Sequence, residues 1–389
     1  EHIVLEVRRL ARIEESALSP ETRLADTGID SLGGMELIGS IERQFGVAIP
    51  ITTLLGSATL DDLVAQIELD GHNGDRSSAA SLRARSQAQK IHTTLLRDWR
   101  VPAPLFLIPG LNGTAYYLSP LCKSFDMDRA CIAFQAPGID GLEAPLGSIE
   151  EMARRYIEEM RSIQPHGPYA IAGHSFGGVI AYEMAQRLAE QGETVEPLML
   201  LDTAVSESED GVDQSDEIMA LFEFIGVFNR FSGQPPIPAE LLALPIDEQR
   251  RTLWSMLGSN PAAADVIEVY RKNMIAMLRY RPRPYAGPVI LYRSVDGFPA
   301  EAVHPDRRVR HEFGTPALGW DKFCSDLCII DVPGDHFTMV MPPQANPLVA
   351  ILQEVLKPRV DMVIGSDRLQ PTVPARADGR ALLIDKAHI

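Results

Sequence analysis

The sequence predicts two folded units, a small all-α domain followed by an α/β domain that is built on a parallel sheet. Residues 1–70 carry only helical periodicities, whereas from residue 102 short apolar runs of strand length alternate with amphipathic stretches of helix length. This alternation is typical of a parallel sheet with helices on both faces. At 389 residues the chain is long enough for two separate cores.

Charge and hydropathy narrow the function classes. The net charge of −17, from 36 basic and 53 acidic residues, argues against nucleic acid as a partner. No apolar run is long enough to cross a bilayer, and no basic segment precedes an apolar one as in a signal peptide. The four cysteines lack metal-ligand spacing and fit a reducing compartment. We therefore expect a cytoplasmic protein without a membrane partner.

The first unit is acidic and helical. Residues 1–70 hold five arginines, no lysine and thirteen carboxylates, whereas residues 71–100 hold six basic and two acidic residues. Apolar residues recur at helical spacing from Ile3, from Leu32 and from Leu60, which predicts a small helical bundle. Thr59 or Ser57 can cap the last helix. The shift in charge predicts a domain boundary near residue 70.

A linker and an α/β domain follow the helical unit. Residues 71–101 are polar, small and basic, which predicts a flexible linker before a domain over 102–357. Between the fourth and fifth strands an insertion at about 205–287 carries three helical patterns, and its position predicts a lid. The tail over 358–389 shows no pattern that assigns it a role. The predicted strands are 104–108, 130–134, 168–173, 197–202, 288–293 and 327–332.

The α/β domain carries a nucleophile motif. Ser175 lies at the centre of Gly173-His-Ser-Phe-Gly177, between an apolar strand and an apolar helix. In that context a G-x-S-x-G sequence forms a sharp turn that exposes the serine hydroxyl at the edge of the sheet. Serine needs a base, and His336, which follows the last strand and a Pro-Gly-Asp turn, is the outstanding candidate.

The acid of a triad has two candidates. Asp202 ends the fourth strand and Asp296 follows the fifth, so both should emerge at the carboxyl edge of the sheet. The residues alone leave this choice open. An oxyanion hole needs two backbone N–H groups, which we assign to Phe176 and to Leu111 in the loop after the first strand.

A second serine lies in the helical unit. Ser31, in Gly28-Ile-Asp-Ser-Leu32, precedes a helical pattern, and a phosphate attached at a helix N-terminus is electrostatically favoured. A simple helix cap is the alternative for such a serine. A helical domain joined to an acyl-processing enzyme favours an attachment point for a prosthetic arm.

Both units resemble domains of biosynthetic synthases. Gly28-Ile-Asp-Ser-Leu32, with Glu36-Leu37 after it, resembles the attachment site of acyl carrier domains, and more those of polyketide synthases than those of peptide synthases. Gly173-His-Ser-Phe-Gly-Gly178, Leu318-Gly-Trp320 and Pro333-Gly-Asp-His-Phe-Thr338 resemble terminal thioesterase domains of polyketide and nonribosomal peptide synthases.

The resemblance implies a fold and a function. It implies a four-helix carrier bundle and an α/β-hydrolase with a helical lid. It selects Asp202 as the acid, and it implies covalent 4′-phosphopantetheine on Ser31, attached by a phosphopantetheinyl transferase. The expected activity is release of an acyl or polyketide chain, received from upstream synthase modules, by hydrolysis or cyclisation. The alternatives are an acyltransferase with the same Ser-His chemistry and a carrier fused to an inactive docking domain.

Overall fold

Seven strands form one sheet in the computed structural model. With the strands numbered along the chain, their spatial order in the sheet is β1-β3-β2-β4-β5-β6-β7. Strand β1 is antiparallel to β3, and every other neighbouring pair is parallel. The strands are β1 Thr93–Arg97, β2 Val101–Ile108, β3 Arg129–Phe134, β4 Ala170–His174, β5 Leu198–Leu201, β6 Val289–Ser294 and β7 Leu327–Val332.

The structure describes most of the α/β domain and parts of the helical unit. Every structural statement below refers to these residues. They are 2–11, 18–24, 59–72, 93–97, 101–126, 129–139, 141, 143–205, 214–232, 235–257, 261–299 and 315–357, with the single positions 27, 34, 37, 41, 44 and 45.

Helices cover both faces of the sheet. Alternate residues of β2 point to opposite cores: Phe106 and Ile108 join one, and Leu105 and Leu107 join the other. The helices are α1 His2–Ala11, α2 Leu60–His72, α3 Ser119–Lys123, α4 Ile149–Ile163, α5 Phe176–Glu190, α6 Gln214–Ser232, α7 Ile246–Leu257, α8 Pro261–Arg279 and α9 Ala345–Val355. Helices α4 and α5 pack on the first core, and α3 and α9 on the second.

The strand order reverses beside β2. Strand β2 lies between β3 and β4, so the chain leaves β2 towards one side of the sheet and returns to the other. In open α/β sheets a crevice forms at such a reversal, outside the carboxyl ends of the strands. The loops after β2 and β4 meet there, and these loops carry Leu111 and Ser175.

Two elements differ from the sequence prediction. Strand β1 lies inside the segment that was predicted as linker, because the short Thr-Thr-Leu-Leu run in that segment pairs with the free edge of β3. The second of the three helical patterns predicted in the insertion, over residues 239–257, is divided into a 3₁₀ turn at Ala239–Ala243 and helix α7. Pro245 separates them, because proline disfavours a helical conformation in the residue before it and its ring nitrogen has no hydrogen to donate.

Side-chain caps are present at two helix starts, and the one at Thr59 is among the caps predicted above. The Ser148 hydroxyl accepts from the Glu151 N–H at 3.2 Å, and the Glu151 carboxylate accepts from the Gly147 N–H rather than from Ser148. At α2, Thr59 is the cap: its hydroxyl accepts from the Asp62 N–H, and the Asp62 carboxylate accepts from the Thr59 N–H at 2.9 Å. These bonds satisfy N–H groups that helix starts leave unpaired.

The helical unit is described in part. Helices α1 and α2 have buried apolar faces, as the periodicity predicts. The helical pattern from Leu32 lies largely outside the described residues, so the four-helix bundle stays a prediction. No helix among the described residues has the length and apolar character needed to cross a membrane.

Candidate active site

Ser175 occupies a strained turn between β4 and α5. Its backbone has φ 56° and ψ −127°, a conformation that non-glycine residues rarely adopt. Close backbone contacts around Gly173 and Gly177 hold this turn in its conformation. A Cβ on Gly173 would meet the backbone of Gly177, one on Gly177 would meet the backbone of Ile108, and each contact would be closer than 3.0 Å. The motif glycines are therefore required for α5 to pack against the sheet.

Three predicted side chains form one hydrogen-bonded chain. His336 Nε2 lies 2.9 Å from Ser175 Oγ, and His336 Nδ1 lies 2.8 Å from Asp202 Oδ2. His336 and Asp202 are both buried. Asp296, the other candidate acid, is exposed to solvent. The structure thus brings Asp202 to the imidazole that contacts the serine.

The carboxylate of Asp202 fixes the imidazole tautomer. Burial acts to raise the pKa of Asp202, but hydrogen bonding and charge from His336, with two bonds from Ser294, outweigh it and lower the pKa. Ser294 donates its N–H at 2.8 Å and its hydroxyl at 2.9 Å. An ionised carboxylate only accepts, so His336 Nδ1 carries a proton, and Nε2 of the neutral ring can accept one from Ser175.

The loop after β2 lies beside Ser175. A Cβ on Gly110 would come within 3.5 Å of Ser175 Cβ. The Gly110 carbonyl accepts from the Gly113 N–H at 2.9 Å, and in a trans peptide the Leu111 N–H points the opposite way. Phe176 is the first residue of α5, so its N–H has no partner within the helix. These are the two predicted oxyanion donors, and both belong to segments that flank Ser175.

His174 and Tyr117 connect the two sides of the site. His174 Nε2 lies 2.9 Å from the His336 carbonyl, which only accepts, so this nitrogen donates. Burial lowers the pKa of His174 to about 3, and a positive charge on His336, when that ring is protonated, acts in the same direction. The neutral ring then accepts at Nδ1 from the Tyr117 hydroxyl at 2.8 Å, and that hydroxyl accepts from the Gly110 N–H at 2.8 Å. The donor and the acceptor of each hydrogen bond from the His336 carbonyl to Gly110 are thereby assigned.

Trp320 holds the segment after Asp202. Its indole N–H donates to the Thr203 carbonyl at 2.7 Å, and the Val205 N–H donates to the Leu318 carbonyl at 3.0 Å. The Leu-Gly-Trp motif therefore supports the segment that follows Asp202. Sequence reasoning missed this role, and it missed Ser294 and Tyr117 because neither lies in a recognisable motif.

Ser31 cannot be placed in the same way. Its motif lies outside the described residues, so its role as the attachment point of 4′-phosphopantetheine stays a prediction. The described residues bring Ser175, His336 and Asp202 together, with Phe176 and Leu111 beside them.

Family models match both units. A model described as thioesterase domain matches residues 103–355, and one described as phosphopantetheine attachment site matches residues 1–67. The first match covers well over half of the chain. The second identifies the helical unit as a carrier domain of the kind that bears covalently attached 4′-phosphopantetheine. The predicted resemblance is confirmed for both domains.

Curated relatives contain both units within longer chains. The chain is 27% identical over 384 residues to an orsellinic acid synthase of Emericella nidulans, covering 93% of this chain and 17% of that protein. It is 27% identical over 368 residues to an aspulvinone E synthetase of Aspergillus terreus, covering 90% of this chain and 37% of that one. The chain therefore spans well under half the length of these relatives.

A solved structure shares the fold. A holo four-domain nonribosomal peptide synthetase bound to AMP and glycine matches with a TM-score of 0.60 at 22% identity, covering 90% of this chain and 25% of that one. The family matches, which agree with the fold, identify the activity as that of a thioesterase. The chain belongs to the thioesterase domain family, and a phosphopantetheine attachment domain precedes its thioesterase domain.

Proposed function

We propose that this chain performs terminal product release in polyketide biosynthesis, with Ser175 as the nucleophile, His336 as the base and Asp202 as the acid. The observation that carries the proposal is the continuous hydrogen-bonded chain from Ser175 through His336 to Asp202, with distances of 2.9 and 2.8 Å. It lies at the reversal of strand order, where ligands bind in α/β sheets.

In the first step, Ser175 attacks the carbonyl carbon of an acyl thioester. His336 Nε2 takes the hydroxyl proton, and Asp202 stabilises the imidazolium that results. The oxyanion accepts hydrogen bonds from the Phe176 and Leu111 N–H groups, and loss of one such donor costs about 10²–10³ in rate. The carbon–sulfur bond then breaks, the thiol leaves with the proton from His336, and an acyl-Ser175 ester remains.

In the second step, another nucleophile releases the product. His336 removes its proton, and the same N–H groups hold the second oxyanion. Water gives a free acid, whereas a hydroxyl or amine on the acyl chain itself gives a ring. Ser175 regains its proton from His336 when the ester bond breaks. The site then returns to its starting state.

The carrier unit supplies the substrate in this proposal. We infer that Ser31 bears the 4′-phosphopantetheine, which supplies a thiol that holds the acyl chain as a thioester. The motif around Ser31 and the attachment-site match over residues 1–67 support this assignment. Upstream synthase modules and a phosphopantetheinyl transferase are the expected partners. The predicted cytoplasmic location stays a prediction.

The domain limits are part of the proposal. We propose a carrier over 1–70, a linker up to β1, a hydrolase ending near 357 and a tail of unknown role over 358–389, with the helices between β5 and β6 acting as a lid. The other candidate functions are not favoured. The match to the thioesterase family argues against an acyltransferase. The intact contacts of Ser175 argue against an inactive docking domain.

Two variants test the two serines separately. Ser175→Ala should lose labelling by a fluorophosphonate and should release no product, while the loaded acyl group stays on the carrier. Ser31→Ala should accept no pantetheine arm from a transferase, yet should still cleave an acyl thioester of N-acetylcysteamine. Mass spectrometry of the carrier and of the released acid or ring reads both results. Release by Ser175→Ala at the wild-type rate would refute the proposal.

A further inference from the structure

Two helices of the insertion contact the loops on either side of Ser175. Helix α8 lies against the loop that follows β2, and helix α6 reaches the loop that carries His336. Phe224 of α6 and Tyr270 of α8 pack edge to face with ring centroids 5.3 Å apart. The two helices therefore form one packed unit that contacts both halves of the site.

Asn273 of α8 fixes the loop that carries the proposed oxyanion donor. Its amide nitrogen donates to the Leu111 carbonyl at 2.9 Å, and the residue is 2% exposed. A buried amide is costly unless it is hydrogen-bonded, so an asparagine on the apolar side of α8 requires this partner. Leu111 is thereby held at its carbonyl, while Gly110 is held at its N–H by Tyr117 and at its carbonyl by Gly113.

Val269 places α8 directly on that loop. Val269 precedes Asn273 by one helical turn, so both residues lie on the same face of α8. Gly113 has φ +71°, and a Cβ there would come within 2.8 Å of Val269 Cγ1. The turn and the helix are thus in close contact, and a shift of α8 would move the Leu111 peptide.

Arg230 of α6 fixes the loop that carries the proposed base. Its guanidinium contacts Asp335 Oδ2 at 2.6 Å, and both side chains are largely shielded from solvent. The other carboxylate oxygen, Oδ1, accepts from the N–H groups of Phe337 and Thr338 at 3.0 and 2.9 Å. Asp335 therefore holds the turn on both sides of His336, and Arg230 joins that turn to the insertion.

We propose that Asn273 and Arg230 are positioning residues through which the insertion sets the Leu111 oxyanion donor and the His336 base. The inference rests on the proposed function of Ser175, His336 and Leu111. It extends the role of the insertion beyond covering the substrate, because the α6–α8 unit becomes part of the frame that stabilises the tetrahedral state. Displacement of this unit would disable the chemistry while substrate contacts elsewhere could remain.

The test uses the full chain and an acyl-N-acetylcysteamine thioester. Asn273→Leu keeps the side-chain volume but removes the donor, and we expect kcat to fall about 10- to 100-fold with KM within about threefold. Arg230→Met should lower kcat about tenfold, and Arg230→Lys, which keeps the charge, should restore most of the rate. A trifluoromethyl ketone analogue that forms a tetrahedral adduct on Ser175 should lose affinity by the same factor as kcat/KM.

Asn229 offers a matched control. It is a buried asparagine on the same insertion, and its amide donates at 2.8 Å to the carbonyl of Pro235, a residue that belongs to neither loop. Asn229→Leu should lower the melting temperature but leave kcat and the affinity for the analogue unchanged. Melting temperatures of all variants separate lost folding from lost positioning.

The outcomes separate failure of the proposed function from failure of the roles proposed for Asn273 and Arg230. Failure of the wild-type chain to react with a fluorophosphonate would overturn the proposed function and this inference with it. Reaction of the wild-type chain, with Asn273→Leu and Arg230→Met retaining its kcat and its affinity for the analogue, would overturn this inference alone. An increase in KM at unchanged kcat would also overturn it, because it would assign both residues to substrate binding.

Discussion

Replacing Asp202 by asparagine tests the tautomer that the proposed mechanism needs. The Ser294 N–H, which can only donate, faces Asp202 Oδ1, so the amide oxygen of an asparagine must occupy that place. The amide nitrogen then takes the place of Oδ2 and faces His336 Nδ1 at about the present 2.8 Å. The imidazole must accept at Nδ1, which moves its proton to Nε2. In that form it cannot take the proton of Ser175.

The expected loss of kcat in Asp202→Asn is large, and Asp296→Asn serves as its control. Reversal of the tautomer in a serine triad lowers kcat by about 10⁴, which corresponds to about 5 kcal/mol of transition-state stabilisation. The assay is steady-state cleavage of an acyl-N-acetylcysteamine thioester at pH 7 to 8, together with the rate of fluorophosphonate labelling. Asp296→Asn, which changes an exposed carboxylate, should retain activity. Activity of Asp202→Asn within tenfold of wild type, or an equal loss in Asp296→Asn, would refute the reasoning.

Three further predictions concern the residues that support the site. Tyr117→Phe leaves a buried N–H and the Nδ1 of His174 without partners, so unfolding free energy should fall by about 1–3 kcal/mol and kcat by about tenfold. Tyr182 is a buried tyrosine of α5 whose hydroxyl donates to the Arg283 carbonyl at 2.8 Å. Tyr182→Phe should lower stability without changing kcat in the same denaturation and kinetic assays. His174 has its pKa lowered from 6.5 to about 3, so the unfolded chain binds more protons between these values, and stability falls as the pH is lowered through this range. When the free energy of unfolding is measured at several pH values, its slope against pH should be smaller in His174→Gln by up to about 1.36 kcal/mol per pH unit. Equal slopes would contradict the lowered pKa of His174. Gly178→Ala would place a Cβ against the Thr203 side chain and should cost at least about 1–3 kcal/mol of stability; wild-type stability in a thermal melt would count against this packing.

The contact between Ser175 and His336 could be predicted from sequence because each residue has a local signal. Ser175 lies in a motif whose glycines are required by backbone contacts, and His336 follows the last strand of an alternating pattern. The carboxylate that contacts His336 could not be chosen from the residues alone, since Asp202 and Asp296 both follow strands. That choice depends on which loop turns towards the imidazole, and the resemblance to thioesterases supplied it.

Supporting residues escaped prediction because their roles arise from contacts across the fold. Ser294 ends β6 without any motif around it, and nothing local indicates that it donates twice to Asp202. Asn273 had a weak signal, as a polar residue on an otherwise apolar helix face. Strand β1 was missed because its short run gains a pairing partner only when the edge of β3 is present.

The antiparallel pairing of β1 has a consequence for delivery of the acyl group. Thr93, where β1 begins, pairs with Phe134 at the carboxyl end of β3, so the chain enters the hydrolase at the rim that holds Ser175. Three strand spacings separate β1 from β4, which corresponds to about 14 Å. The predicted linker that tethers α2 to β1 therefore ends close to Ser175, and in the proposed mechanism its fully extended length of about 70 Å would limit the reach of the carrier. Lengthening this tether should lower the local concentration of the thioester only gradually.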